Sequence, residues 1–425
     1  MTLSLLTTYQ KTRALTQELA APLAPEDQVV QPVPYVSPPK WHLAHTTWFF
    51  ETFLLQAKAP NYQLFHPQYP YLFNSYYEQA GERWQRSQRG FLSRPTVAEI
   101  LEYRTYVDQH LEKLILELEH YDPQEKEAIQ ATITLGIHHE QQHQELLLYD
   151  LKYILGHNPL FPAYHSPQEG TKNGQSPTET SPQNYLEVSS GLYEIGHQGN
   201  SFYFDNERGR HSIFLHPYRI LDRLITCGEY LGFIEAGGYQ DPQHWLMEGW
   251  EWIQAEKIIA PLYWHLESDK NWKIYTLQGR ENLDKAVPVM HLSFYEADAF
   301  ARWSGKRLPT EFEWEIACNL YEPAIPKVAN LLDLKHLRPQ PRIGQQTQFY
   351  GDVWEWTSSA YLPYPYYEIP PGALGEYNGK FMVNQMVLRG GSFGTLREHI
   401  RSTYRNFFHP QMRWQFAGLR LAEYI

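Results

Sequence analysis

Residues 122–156 read DPQEKEAIQATITLGIHHEQQHQELLLYDLKYILG, and this stretch decides the fold of the first part of the chain. Asp122 is a good N-cap and Pro123 suits the first helical position. The run ends at Gly156, with Pro159 beyond it as a stop. One long helix is therefore expected. Inside it, HHEQQHQE (138–145) places His139 and His143 one turn apart on the same face.

Three more helices are expected upstream. Residues 5–20 carry apolar positions at Leu5, Leu6, Tyr9, Ala14, Leu15 and Leu19. After the Pro-rich loop QPVPYVSPPK, Ser37 suits an N-cap, with Pro38 at the first helical position of a helix through WHLAHTTWFFETFLL. Thr96 and Glu99 form a capping box. It opens a helix whose stripe runs Ile100, Tyr103, Val107, Leu111, Leu114, Ile115, Leu118. Four long helices of this kind predict a four-helix bundle over 1–164.

Residues 165–184 are rich in Pro, Gly, Ser, Thr and Asn, and they read as a linker. From 185 to 425 the pattern changes. Strand-like fragments (YLEVSSGLYEIG, HSIFLHPYRIL, MVLRGGSF, FAGLRLAEYI) alternate with helical segments near 227–237 and 294–319, the second carrying Glu296, Glu311, Glu313 and Glu315. An irregular α+β domain is expected there.

The whole chain has 425 residues, enough for two or three domains at ~150 residues each. Its net charge of −12 argues against a nucleic-acid footprint and against an anionic membrane surface. No apolar run is long enough for a membrane span, and the first residues lack a signal-peptide core. The two cysteines, Cys227 and Cys318, form no CxxC pair, so a reducing cytoplasm is expected. The 31 Tyr, 20 Phe, 13 Trp and 19 His suit a ligand pocket, a metal site, or both.

With this many histidines, chance alone gives roughly one HxxxH pair, so His139/His143 need support from elsewhere. The pair also spells HExxH, the zinc-peptidase signature, with Glu140 as would-be general base. The extended form of that signature needs Gly and His where Leu146 and Tyr149 stand, and a downstream Glu on a further helix would have to come after the linker. A third ligand is available upstream, at His45 in WHLAH. Bundle cores are where such sites are built. Three neutral imidazoles would leave up to three open positions, which suits Fe(II) and O₂ chemistry better than a closed zinc site. His42 competes with His45, about 60° round the helix.

HxxxHxE (His139, His143, Glu145) and the LAH element at His45 resemble the DinB-like domain of ergothioneine-biosynthesis sulfoxide synthases. FYEADAFARWSGKRLPTEFEWEIA (294–317), GDVWEWT (351–357), VLRGGSF (387–393) and RSTYRN…FAGLRLA (401–422) resemble the formylglycine-generating, sulfatase-modifying domain, a C-type-lectin-like fold. The resemblance covers nearly the whole chain. The catalytic cysteine pair of formylglycine-generating enzymes has no counterpart, since no Cys follows Cys318. The second domain is thus expected to act as scaffold and pocket wall.

The resemblance implies a non-haem Fe(2+), O₂-dependent oxidoreductase. It would join cysteine sulfur to C2 of the imidazole of N-alpha-trimethylhistidine (hercynine) and oxidise that sulfur. It implies His45, His139 and His143 as iron ligands and Gln142 as a contact to the substrate imidazole. NSYYE (74–78) resembles the branch that uses free cysteine, which makes Tyr76 or Tyr77 the proton donor; a phenol can fill that role. Arg86 and Arg89, at i and i+3, would take the thiol substrate's carboxylate. Asn406 would bind the hercynine carboxylate, and Phe407 and Phe408 would face its trimethylammonium group. Arg413 is a further carboxylate-binding candidate.

The rival readings are a 5-histidylcysteine sulfoxide synthase of the ovothiol type, a selenium-using homologue, a zinc-dependent thiol transferase or peptidase, and a lectin-like binding module. Small-molecule partners are expected, and self-association is left open.

Overall fold

The helices of the first part begin and end where local chemistry dictates. A computed structural model describes residues 2–165 and 182–425, so most of the expected linker, 166–181, lies outside the described residues. The chain divides into two compact units, Met1–Tyr164 with Pro370–Tyr377, and His165–Ile369 with Asn378–Ile425.

The first unit is built on α1 (Thr2–Ala20), α2 (Pro39–Phe50), α3 (Val97–Leu116) and α4 (Pro123–Gly156). Asp122 caps α4 through the backbone N–H groups of Gln124 and Glu125, and the Thr96/Glu99 capping box opens α3. Helix α2 starts one residue later than expected, with Pro38 and not Ser37 at its N-cap. The reason is local: a residue that precedes proline is held extended, and Pro38 precedes Pro39 with ψ 138°. The Ser37 hydroxyl is thereby released, and it accepts a hydrogen bond from Arg89.

Helices α1 and α2 each pack against both α3 and α4. The whole expected stripe of α3 from Ile100 to Leu118 is buried. Helix α1 differs from its apolar reading. Ala14 is exposed, and the buried face carries Thr12, Arg13 and Thr16 beside Tyr9 and Leu19. Arg13 and Thr16 meet Glu140 of α4, so the apolar count alone misplaced the face. Gly136 of α4 lets α2 come close: a Cβ there would lie 2.4 Å from a ring carbon of Phe50. After Phe50 the helix continues as a π-turn, Glu51–Leu55.

The second unit is sheet-rich. β1 (Tyr185–Val188), β4 (Tyr218–Leu221) and β12 (Ala422–Tyr424) form one sheet in the order β1-β4-β12, and β2 (Gly191–Ile195) pairs with β3 (His211–Leu215). β5 (Trp264–Leu266), β6 (Trp272–Thr276) and β7 (Gly279–Asn282) form a meander. The central sheet runs β10-β9-β8-β11, from β8 (Trp354–Ala360), β9 (Met386–Arg389), β10 (Asn406–Phe408) and β11 (Ala417–Gly418), with β11 parallel to β8.

Four helices accompany these sheets: α5 (Cys227–Glu235), α6 (Met247–Ala255), α7 (Phe294–Trp303) and α8 (Glu311–Tyr321). The single helix expected over 294–319 is therefore two. Gly305 at φ +69° follows the C-cap Ser304, and Thr310 caps the next helix after Pro309. Helix α6 was not expected. The core of this unit joins aromatic side chains to buried ion pairs, among them Glu311 with Arg389 and Arg405, and Glu355 with Arg420.

Candidate metal centre

Three imidazoles converge inside the first unit. His45 comes from α2, His139 and His143 from α4, and their ligand atoms lie within 4.8 Å of one another. The ring centroids are 5.0, 4.8 and 4.7 Å apart for His45–His139, His45–His143 and His139–His143. All three side chains are buried.

Burial pushes all three pKa values down, and each ring also feels at least one charged or imidazole neighbour; for His139 the value falls to about 3. The rings are therefore neutral at pH 7 and carry lone pairs. His45 Nδ1 donates to the Phe73 carbonyl at 2.6 Å, which leaves Nε2 as the free lone pair, and that atom is buried with no hydrogen-bond partner. Both ring nitrogens of His139 are also buried and unpartnered. Orphaned buried polar atoms cost roughly 1–3 kcal/mol each. A metal ion bound by nitrogen would relieve that cost, so the residues fit a divalent transition metal with nitrogen ligands.

The surroundings are aromatic. His45 is stacked between Trp41 and Trp48 at 4.5 and 5.4 Å, and Phe49 lies 4.8 Å from His139. Tyr76 and Tyr77 stack on each other at 4.7 Å, and Tyr77 lies 5.6 Å from Trp48. Sequence reasoning missed Tyr377, on the 370–377 segment that belongs to this unit. Its ring meets His139 edge-on at 5.9 Å and lies 6.0 Å from Tyr76. No local signal marks that tyrosine, because it is more than 200 residues from the histidines. Burial, with the phenols of Tyr77 and Tyr377 nearby, pushes the Tyr76 pKa well up and keeps that phenol protonated.

Glu140 does not join the three imidazoles. Its carboxylate accepts from Arg13 at 2.8 Å, Arg104 at 2.9 Å and Thr16 at 2.6 Å. Burial alone would raise its pKa, but the two arginines outweigh it and bring the value to about 2. A carboxylate so committed is no general base, which removes the mechanical basis of the zinc-peptidase reading. His42 is also not a member of the trio. It sits behind His143, with Nδ1 2.9 Å from His143 Nδ1 and Nε2 2.9 Å from Asp150.

The expected substrate residues fall in both units. In the first, Arg89 is buried and donates to Ser37 and Ser75, both at 2.9 Å, with its guanidinium 3.3 Å from the Trp41 ring centre. No carboxylate pairs with it among the described residues. Arg86, one 3₁₀ turn earlier, is exposed and donates to the Tyr35 carbonyl. Gln142 is half-buried on α4 between the two histidines.

In the second unit, Asn406, Phe407 and Phe408 form β10 on the edge of the central sheet. Successive strand residues face opposite sides. Phe407 accordingly stacks on Tyr361 at 4.0 Å, while Phe408 meets Trp414 at 5.2 Å. The expectation that both rings face one cation is corrected by this alternation; Asn406 and Phe408 share a face. Arg413 pairs with Glu296 at 3.2 Å and donates to the Ala260 carbonyl, both through Nη1.

The fold and the three-histidine group define a two-part protein. Residues 8–147 match the DinB superfamily, and residues 171–322 with 344–425 match the sulfatase-modifying factor enzyme 1-like domain. Hercynine oxygenase of Mycolicibacterium smegmatis is 33% identical over 319 residues, which cover 68% of this chain and 70% of that one. Hercynine oxygenase of Mycobacterium tuberculosis is 36% identical over 243 residues, covering 51% and 55%. Ergothioneine biosynthesis protein 1 of Schizosaccharomyces pombe is 28% identical over 234 residues, covering 52% and 28%. The chain belongs to the hercynine oxygenase family, although its match spans only about half the length of the M. tuberculosis relative.

Proposed function

We propose that the protein is an Fe(II)- and O₂-dependent sulfoxide synthase of ergothioneine biosynthesis, joining the sulfur of cysteine to C2 of the hercynine imidazole. The observation that carries this reading is the buried His45/His139/His143 group, with unpartnered ring nitrogens on His45 and His139, in a chain of this family. The three imidazoles would hold the metal. Bound there, Fe(II) would supply O₂ reduction and favour the thiolate form of the sulfur substrate.

The chain's own residues do the rest. Arg89, buried without a carboxylate partner, binds the carboxylate of cysteine, and Arg86 adds a second cation one turn away. Gln142 contacts the substrate imidazole. Tyr76, whose phenol burial keeps protonated, or Tyr77 delivers a proton. Tyr377, edge-on to His139, belongs to the same group of phenols. Asn406 and Phe408 on one face of β10 serve the hercynine carboxylate and its trimethylammonium group.

The test is turnover of the Fe(II)-loaded protein with four substrate pairs: hercynine or histidine, each with cysteine or gamma-glutamylcysteine. The expected outcome is O₂-dependent consumption of hercynine with cysteine above the other three pairs. Preferential use of histidine would move the protein to the ovothiol type. Bound zinc without O₂ consumption would overturn the oxygenase reading.

A further inference from the structure

The hydrogen bonds behind His143 follow a fixed direction. The backbone N–H of Ser37 can only donate, and it lies 2.8 Å from Asp150 Oδ2. That oxygen therefore accepts. His42 Nε2, 2.9 Å from the same oxygen, must then donate its proton to it. A neutral imidazole carries one proton, so His42 Nδ1 holds a lone pair. That lone pair faces His143 Nδ1 at 2.9 Å, and a hydrogen bond there requires the proton to sit on His143 Nδ1. The proton is then absent from His143 Nε2, which keeps its lone pair.

We propose that Asp150 and His42 act as positioning residues, a tautomer relay that presents Nε2 of His143 as a ligand atom. The proposal rests on the reading of His45, His139 and His143 as the ligand set. It changes no proton count; it fixes where one proton sits and how one ring is turned. Outer partners of this kind typically carry 10–100-fold in metal affinity.

The three ligands are thus held differently. The Phe73 carbonyl sets the tautomer of His45, the relay sets that of His143, and no hydrogen bond sets that of His139. The relay also starts next to the proposed thiol-substrate site, because Ser37 accepts from Arg89 through its hydroxyl while its N–H holds Asp150. Asp150 lies seven residues beyond His143, two turns along the same helix face, which is the one sequence signal that could have revealed it.

The test measures Fe(II) binding to the full chain under anaerobic conditions, by competition with a chromophoric chelator, with folding checked by circular dichroism. His42→Leu should weaken Fe(II) binding by about 10–100-fold. His42→Gln keeps a carbonyl oxygen for the Nδ1 proton of His143, and it should recover most of that loss. Asp150→Asn should fall between the parent chain and His42→Leu. A folded His42→Leu chain with parental affinity would overturn the relay, as would equal losses in the Leu and Gln variants.

A second measurement needs no variant. In the Zn(II)-loaded full chain, long-range proton–nitrogen correlation spectra of the imidazoles should show His143 protonated at Nδ1 and metal-bound through Nε2. The opposite assignment would overturn the relay even if His42→Leu failed to fold. His139→Ala separates the two levels of the argument: parental affinity in that variant would sink the three-histidine reading itself, and loss there with none in His42→Leu would sink the relay alone.

Discussion

His139 in the helical unit is buried with neither ring nitrogen hydrogen-bonded. In the sheet-rich unit, Glu311 is equally buried, but it accepts two hydrogen bonds from Arg405, at 2.8 and 2.9 Å, and one from Arg389 at 2.8 Å. Burial would raise the Glu311 pKa, yet the arginines hold it down. One buried group is polar and unsatisfied, the other polar and paired. Closed networks rigidify a core, whereas an orphaned set of lone pairs persists only if something else completes it. Glu311 is thus completed by its own chain, and the lone pairs of His139 are not.

The sharpest way to break that contrast is to remove one member from each cluster. His139→Ala should abolish both Fe(II) binding and O₂-dependent consumption of hercynine with cysteine, while the metal-free chain loses only the packing of one ring, since no hydrogen bond is lost. Parental turnover in that variant would remove His139 from the ligand set. Glu311→Ala should do the reverse. It leaves Arg389 and Arg405 buried without their shared carboxylate, a change that costs about 3–5 kcal/mol of stability. Fe(II) affinity of the folded fraction should be unchanged. A Glu311→Ala chain as stable as the parent would show that the paired cluster contributes no more than the unpaired one.

The next effect is smaller and depends on pH. His139 and Glu140 are neighbours on α4, the first without a hydrogen-bond partner and the second paired with two arginines. The folded His139 titrates near 3 against an ordinary 6.5, so the unfolded chain takes up the proton first. Stability from that group is complete above about 6.5 and is lost as pH falls towards 3. Glu140 titrates near 2 against an ordinary 4.5, so its contribution is present above about 4.5 and is lost as pH falls towards 2. Urea unfolding of the metal-free chain, followed by the helical circular-dichroism signal, should therefore lose stability in two windows. His139→Gln should reduce the slope of the upper window, to which His45 and His143 also contribute, and leave the lower one unchanged. An upper window of unchanged slope in that variant would contradict the unpaired burial of His139.

Legibility followed the range of the interactions. The cap at Asp122, the capping box at Thr96 and the stripe of α3 are local, and the sequence shows them. The pairing of His139 with His143 is one helical turn, also local. His45 joined them because bundle cores favour such sites, a step the helix pattern alone could only suggest. What stayed hidden is long-range. Arg13 meets Glu140 across 127 positions, and its charge disguised a buried face as an exposed one. Tyr377 reaches the histidines from a segment embedded in the sequence of the other unit. The opposed faces of Phe407 and Phe408 follow from simple strand alternation, but only once β10 is known to be a strand.

The smallest expected effect sets one arginine of each unit against the other. Arg405 is buried against a carboxylate, and Arg89 is buried against two serine hydroxyls and an indole face. Burial and the nearby Arg86 pull the Arg89 pKa down from its ordinary value, although a guanidinium stays charged. An anion would therefore be welcomed at Arg89, while at Arg405 the anion is already built in. Replacing Arg89 with Met should raise KM for cysteine about tenfold or more, in line with ~1.5–3 kcal/mol for a charged hydrogen bond, with a smaller change in kcat. Arg86→Met, at an exposed position, should raise KM by less. Equal KM changes in the two variants would mean that burial does not set the strength of this contact, and an unchanged KM in both would move the carboxylate of the thiol substrate away from this pair altogether.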